Sequence, residues 1–215
     1  MLVNVRSSPQ KHIVVDDFAA PAEVESLLAE FELLRDALGA GQVLRGGTAV
    51  DSALKRNRNL WLDDHYRGRR AESATLALLR ARLLCPPIRR ALEETGDLLF
   101  AHWALANADA TLLSVYGPGD YYGDHWDEYP SLTANLMVCS TPKRFAGGDF
   151  WLADDHVLHP DRPRHYTRLE FRAGRLVLFP ARARHYVDVV TGEDLAFRDG
   201  RFSVQHWAQY VTRAT

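Results

Sequence analysis

Tyr116-Gly117-Pro118-Gly119-Asp120-Tyr121-Tyr122-Gly123-Asp124-His125-Trp126-Asp127 reads as a tight turn running into a strand that carries a His-x-Asp pair. The glycines and proline supply the turn. Side chains in an extended strand alternate with a period of two, so His125 and Asp127 project from one face and Trp126 from the other. A second imidazole, His185, stands far downstream in Arg184-His185-Tyr186. Two imidazoles and one carboxylate occupy one face of a six-coordinate metal and leave the opposite positions open. That donor set is the one that suits non-haem Fe(II) activating dioxygen. The expectation is a barrel in which one strand delivers two ligands and a distant strand delivers the third.

With nine histidines in the chain, a His-x-Asp pair alone decides little. The order of the surrounding landmarks decides more. Gly147-Gly148-Asp149-Phe150 lies between the two halves, and Leu178-Phe179-Pro180 precedes His185. Arg201-Phe202-Ser203 then opens a strand that runs to Trp207, with Arg201, Ser203 and Trp207 on one parity.

At 215 residues the chain is long enough for one domain with a sizeable core. A net charge of -2 argues against a polyanion partner, so no nucleic acid is expected. Cys85 and Cys139 are too few for a disulfide framework or a cysteine zinc site. The amino terminus lacks the apolar core of a signal peptide, and no apolar run reaches the roughly 18 residues of a membrane span. A cytoplasmic location with no membrane association is the natural expectation.

The first hundred residues are expected to be helical with strand insertions. His12–Phe18 is expected as an edge strand, Pro21–Arg35 as a helix with proline at its start, and Asn57–Leu62 as a strand. Ala71–Leu99 is expected to be mostly helix, broken at Pro86-Pro87. Seven short apolar runs follow, from Ala110–Tyr116 to Phe202–Val211, separated by turn residues. Helices first and strands afterwards indicate an α+β chain whose second half is an antiparallel barrel or sandwich. The division expected is a single domain over 1–215, with 1–108 as mostly helical support and 109–213 as the core.

From about Ala110 to Val211 the chain resembles the catalytic core of the Fe(II)- and 2-oxoglutarate-dependent dioxygenases, in particular their prolyl 4-hydroxylase-like branch. The resemblance rests on the Tyr-Gly-Pro-Gly turn, His-x-Asp, Gly-Gly, Phe-Pro, the distal histidine and the arginine of the last strand, all in order. It implies a double-stranded β-helix, or jelly roll. It also implies His125, Asp127 and His185 as iron ligands and Arg201 as the partner of the distal carboxylate of 2-oxoglutarate. Ser203, Tyr116 and Trp207 would complete the cosubstrate pocket. Two departures stand out: arginine replaces the lysine of animal collagen-type members at position 201, and the interval from His185 to Arg201 is long. A hairpin extension over Thr191–Gly200 would absorb that length.

The implied reaction couples decarboxylation of 2-oxoglutarate to hydroxylation of an unactivated C–H bond by dioxygen, with ascorbate as a supporting reductant. Asp127 separates the chain from related halogenases, which carry a small residue there. Trp207, where related nucleic-acid dealkylases have a second arginine, speaks against a nucleobase. The expected substrate is a small molecule, such as an amino acid or natural-product intermediate, or a peptidyl prolyl or other side chain. Arg56, Arg58 and the Arg162–Arg184 cluster are candidate clamps for a substrate carboxylate. The alternative is a catalytically silent jelly roll that binds metal or ligand, or a cupin-like metal isomerase. The sequence leaves oligomeric state open.

Overall fold

The computed structural model describes residues 1–7, 10–41, 44–45, 48–49, 53–128, 132–154 and 165–209. Two antiparallel sheets face each other, and helices cover the outer face of the larger one. The larger sheet runs in the order Leu2–Arg6, His12–Asp16, Leu176–Pro180, Leu132–Val138, Arg201–Gln209, Ala108–Tyr116, Arg58–Trp61 and Gly39–Ala40. The smaller runs Tyr166–Leu169, Phe150–Ala153, His185–Val187, Tyr121–His125 and Lys55–Arg56.

Alternation along the larger sheet sorts its two faces. Leu113, Val115, Leu136, Leu178, Phe202 and Val204 turn outward into a core shared with Val24, Leu27, Phe31, Leu79, Ile88 and Phe100 of the helices. Tyr116, Met137, Val177 and Phe179 turn inward against Phe150, Leu152 and Val187 of the smaller sheet. The inward face near the last strand is polar instead: Thr133, Asn135, Ser114, Arg201 and Ser203 are all buried there. A sandwich that buries so many polar groups between its sheets is built to hold something between them.

The helices form where the sequence places them. Pro21–Leu33 begins on proline, whose missing N–H is no loss in the first turn, and the Glu23 carboxylate accepts the Ala20 N–H at 2.7 Å. The expected break at Pro86-Pro87 is the start of a new helix, Pro86–Glu94, after Ala74–Arg82, which Ser73 caps. A further helix covers Leu98–Trp103.

Three expectations need correction. His12–Asp16 is an interior strand, flanked by Leu2–Arg6 and Leu176–Leu178. Its unbroken buried run from His12 to Val15 fits a strand covered on both faces. The first half also adds strands to both sheets, because Arg58–Trp61 joins the larger and Lys55–Arg56 the smaller. Finally, the 191–200 segment is not a hairpin closed on itself. Val190–Thr191 pairs with Ala146–Gly147, and a short turn of 3-10 helix, Phe197–Asp199, leads into the last strand. Arg198 of that turn pairs with Glu25 and Glu32 on the Pro21–Leu33 helix. The last strand keeps continuous register with both neighbours, so Arg201 stays on the inward face. Part of the Arg162–Arg184 cluster and the end of the Phe202–Val211 run lie outside the described residues.

Candidate functional site

His125 and His185 sit directly opposite each other on paired strands of the smaller sheet. Each imidazole is fixed the same way. His125 Nδ1 lies 2.8 Å from the Gly123 carbonyl, and His185 Nδ1 lies 2.8 Å from the Ala183 carbonyl. A carbonyl only accepts, so each Nδ1 carries the proton and each Nε2 presents a lone pair. Those lone pairs face one oxygen: Asp127 Oδ1 is 3.8 Å from His125 Nε2 and 3.9 Å from His185 Nε2. The other carboxylate oxygen is occupied. Asp127 Oδ2 accepts from Thr133 Oγ1 at 2.7 Å and from Trp207 Nε1 at 3.0 Å.

Asp127 reaches this position in a different way from the strand alternation expected. The strand ends at His125, and the Asp127 N–H is tied to the Ala181 carbonyl at 2.9 Å. Trp126 does point away, half-exposed under the Arg184 guanidinium. The three donor atoms lie within 4.8 Å of one another. Metal–nitrogen bonds near 2.1 Å place neighbouring ligands on one octahedral face about 3 Å apart, so ligation requires closure of roughly 1 Å. Burial, reinforced by the neighbouring His185, holds His125 well below the ordinary imidazole range. Its Nε2 therefore stays unprotonated at neutral pH, and loss of this ligand to protons sets in lower than the pH of about 6 expected from an unperturbed imidazole.

Arg201 occupies the far end of the last strand, 0% exposed. Its guanidinium lies between the Tyr116 and Phe171 rings, 4.6 Å from each centroid. Nε donates to the Gly148 carbonyl at 2.6 Å and Nη1 to Ser203 Oγ at 2.7 Å, while Nη2 is buried with no partner. Burial pushes its pKa down to about 10. A buried cation with an unused donor and no carboxylate paired to it among the described residues is a site shaped for an anion. The Gly-Gly pair makes room for it. Gly147 and Gly148 both take positive φ, and a Cβ on Gly148 would stand 2.8 Å from Arg201 Cδ.

All seven residues singled out in the sequence thus fall around one intersheet region, with His125, Asp127, His185 and Trp207 at one end and Arg201, Ser203 and Tyr116 at the other. Trp207 does more than wall a pocket, since its indole N–H holds the carboxylate of Asp127. Of the seven proposed clamp arginines among the described residues, five are spent elsewhere: Arg56 pairs with Asp120, Arg184 with Asp124, Arg168 with Asp149, Arg172 with Glu170 and Arg175 with Asp16. Sequence reading missed Thr133, Phe171 and Lys55. Thr133 carried a weak signal as a polar residue inside an apolar strand; the other two carried none.

Residues 111–209 match the family model of the 2OG-Fe(II) oxygenase superfamily. That segment, a little under half of the chain, is similar to this superfamily. A PKHD-type hydroxylase of Klebsiella pneumoniae is 33% identical over 93 residues, which are 38% of this chain and 38% of the relative. The match therefore spans about two fifths of the length of the curated relatives. A prolyl-4-hydroxylase of Pseudomonas putida aligns over 94% of both chains with a TM-score of 0.63 at 18% identity. The non-heme alpha ketoglutarate dependent epimerase SnoN from nogalamycin biosynthesis aligns over 92% of this chain and 78% of its own, with a TM-score of 0.53 at 16% identity. At such identities these two likenesses speak to the fold alone.

Proposed function

We propose that this chain is a non-haem Fe(II)- and 2-oxoglutarate-dependent dioxygenase that hydroxylates an unactivated C–H bond of a small molecule or a peptidyl side chain. In this reading the strands that the second half contributes to the two-sheet sandwich are the double-stranded β-helix of the superfamily, flanked by strands and helices of the first half. The observation that carries the proposal is the free Nη2 of Arg201, buried between the same two sheets as the His125–Asp127–His185 cluster. A metal-binding module that did no 2-oxoglutarate chemistry would have no use for that costly charge.

Each side chain has a task. His125, His185 and Asp127 would hold iron through Nε2, Nε2 and Oδ1, the atoms that the Gly123 and Ala183 carbonyls, Thr133 and Trp207 leave available. Arg201 would bind the distal carboxylate of 2-oxoglutarate through Nη2, with Ser203 steadying Nη1. The Tyr116 and Phe171 rings exclude water from that ion pair and so strengthen it. When bound, iron and 2-oxoglutarate supply the oxidising chemistry, one oxygen atom entering succinate and the other the product. The chain positions both groups and keeps the imidazoles in the ligating tautomer.

The test is succinate formation from 2-oxoglutarate by the purified protein under air. Turnover is expected to require Fe(II) and to vanish in His125→Ala. Succinate made without added iron, or at an undiminished rate in that variant, would overturn the assignment.

A further inference from the structure

Lys55 is 7% exposed, yet it has no carboxylate in ion-pair contact among the described residues. Its strand, Lys55–Arg56, pairs with Tyr121–His125 so that Lys55 stands opposite Tyr122. The ammonium lies 4.4 Å from the centroid of the Tyr122 ring, and that ring stacks on His125 at 3.4 Å and 14°. One aromatic ring therefore separates Lys55 from a candidate iron ligand. Its neutral partner is Asn59, whose side-chain carbonyl accepts from Nζ at 2.8 Å in the amide orientation that satisfies both groups.

A lysine buried this deeply is rarely left with a neutral partner. The carboxylate whose field acts on it most is Asp127, which faces the two imidazoles rather than Lys55. In the functional reading above, on which this inference rests, Asp127 is committed to iron. With Fe(II) and the dianionic cosubstrate in place, Asp127 and Arg201 bring the centre to neutrality. Lys55 is then one uncompensated positive charge beside it. Arg201, bonded to Ser203 on the same rung of the sheet as Asn59, is in that reading the separate cation that takes the distal cosubstrate carboxylate.

We infer that Lys55 is a substrate-positioning residue that receives a carboxylate, making the substrate a monoanionic acid whose body rests on aromatic walls. Those walls are in place. Asn59 and Trp61 share the inward parity of their strand, and Trp61 packs against Trp207 with ring centroids 5.8 Å apart. Trp61 is 37% exposed, open to an incoming molecule, while Trp207 reaches in to Asp127. An acid with an apolar or flat body would lie across the two indoles with its carboxylate on Lys55 and a C–H bond toward the metal.

The test uses the whole chain loaded with Mn(II) and 2-oxoglutarate, titrated calorimetrically with benzoate and with benzamide. These two probes share shape and differ in charge. Benzoate is expected to bind about tenfold more tightly than benzamide, the difference a buried charged hydrogen bond makes. Lys55→Met should erase that preference and Lys55→Arg should retain it. Both variants should bind 2-oxoglutarate within about twofold of the native chain, which also reports that they fold. Equal affinity for acid and amide, a preference that survives Lys55→Met, or no binding of either probe overturns the inference. A large loss of 2-oxoglutarate affinity in Lys55→Met also overturns it, by making Lys55 a cosubstrate contact. Failure of the native chain to bind 2-oxoglutarate at all would instead strike the dioxygenase reading.

Discussion

Replacing Arg201 by methionine separates a residue that holds the fold from one that waits for a ligand. Burial lowers the guanidinium from its ordinary range to about 10, which corresponds to a standing cost of about 3 kcal/mol for keeping it charged in the ligand-free chain. Against this, the side chain makes two hydrogen bonds, to Gly148 and Ser203, worth about 1–1.5 kcal/mol each. The terms nearly cancel, so Arg201→Met should change the stability of the metal-free chain by about 1 kcal/mol or less. Removing a cation from a satisfied buried ion pair would cost about 3–5 kcal/mol instead. Binding should respond in the opposite proportion. Removing the guanidinium leaves the buried cosubstrate carboxylate unpaired, which forfeits about 3–5 kcal/mol, or roughly two to three and a half orders of magnitude in Kd for 2-oxoglutarate. Urea unfolding of the metal-free protein measures the first quantity, and calorimetric titration of 2-oxoglutarate into the Mn(II) form measures the second. A variant badly destabilised but still binding 2-oxoglutarate with native affinity would show that Arg201 is structural, and the reasoning would fail.

Three other outcomes follow from the same geometry. Trp207→Phe keeps the ring but deletes the N–H on Asp127, and should weaken Mn(II) binding about 10- to 100-fold by titration; unchanged affinity would mean that Thr133 alone orients the carboxylate. Gly148→Ala puts a methyl group 2.8 Å from Arg201 Cδ at a φ of +68°. It should lower 2-oxoglutarate affinity about tenfold or more while leaving metal binding intact, and the reverse pattern would contradict it. For Lys55, burial lowers the pKa to about 8, so the folded chain carries a disfavoured charge below that pH and sheds it above. The unfolded chain still holds the proton until about 10.4, so metal-free stability should rise between about pH 8 and pH 9.5, by up to about 2 kcal/mol. Urea midpoints that stay flat in native protein, or that rise equally in Lys55→Met, would refute this.

What could be read from the sequence divides along a physical line. The candidate ligand cluster was legible because metal chemistry restricts residue types, and because strand alternation put His125, Arg201, Ser203 and Trp207 on determinable faces. Helices announced themselves through Pro21 and Pro86, which act locally. Lys55 was not legible, because its meaning comes from pairing with Tyr122, 67 positions away, and from burial that no local pattern encodes. The same holds for Phe171 against Arg201. His12–Asp16 was misplaced at an edge because a short apolar strand looks alike at an edge or inside until its second neighbour, Leu176–Leu178, is known. Asp127 joins the two histidines by another route than the one expected: its place depends on the Ala181 carbonyl and on Trp207, not on continuing the strand.

The most direct measurement is an anaerobic titration of Fe(II) into the protein with 2-oxoglutarate present, followed by visible absorption. A weak band that saturates at one iron per chain, and is lost in both His125→Ala and Arg201→Met at matched concentrations, is the expected result. Iron binding that leaves the spectrum indifferent to 2-oxoglutarate, or a band that persists when His125 is gone, would contradict the account.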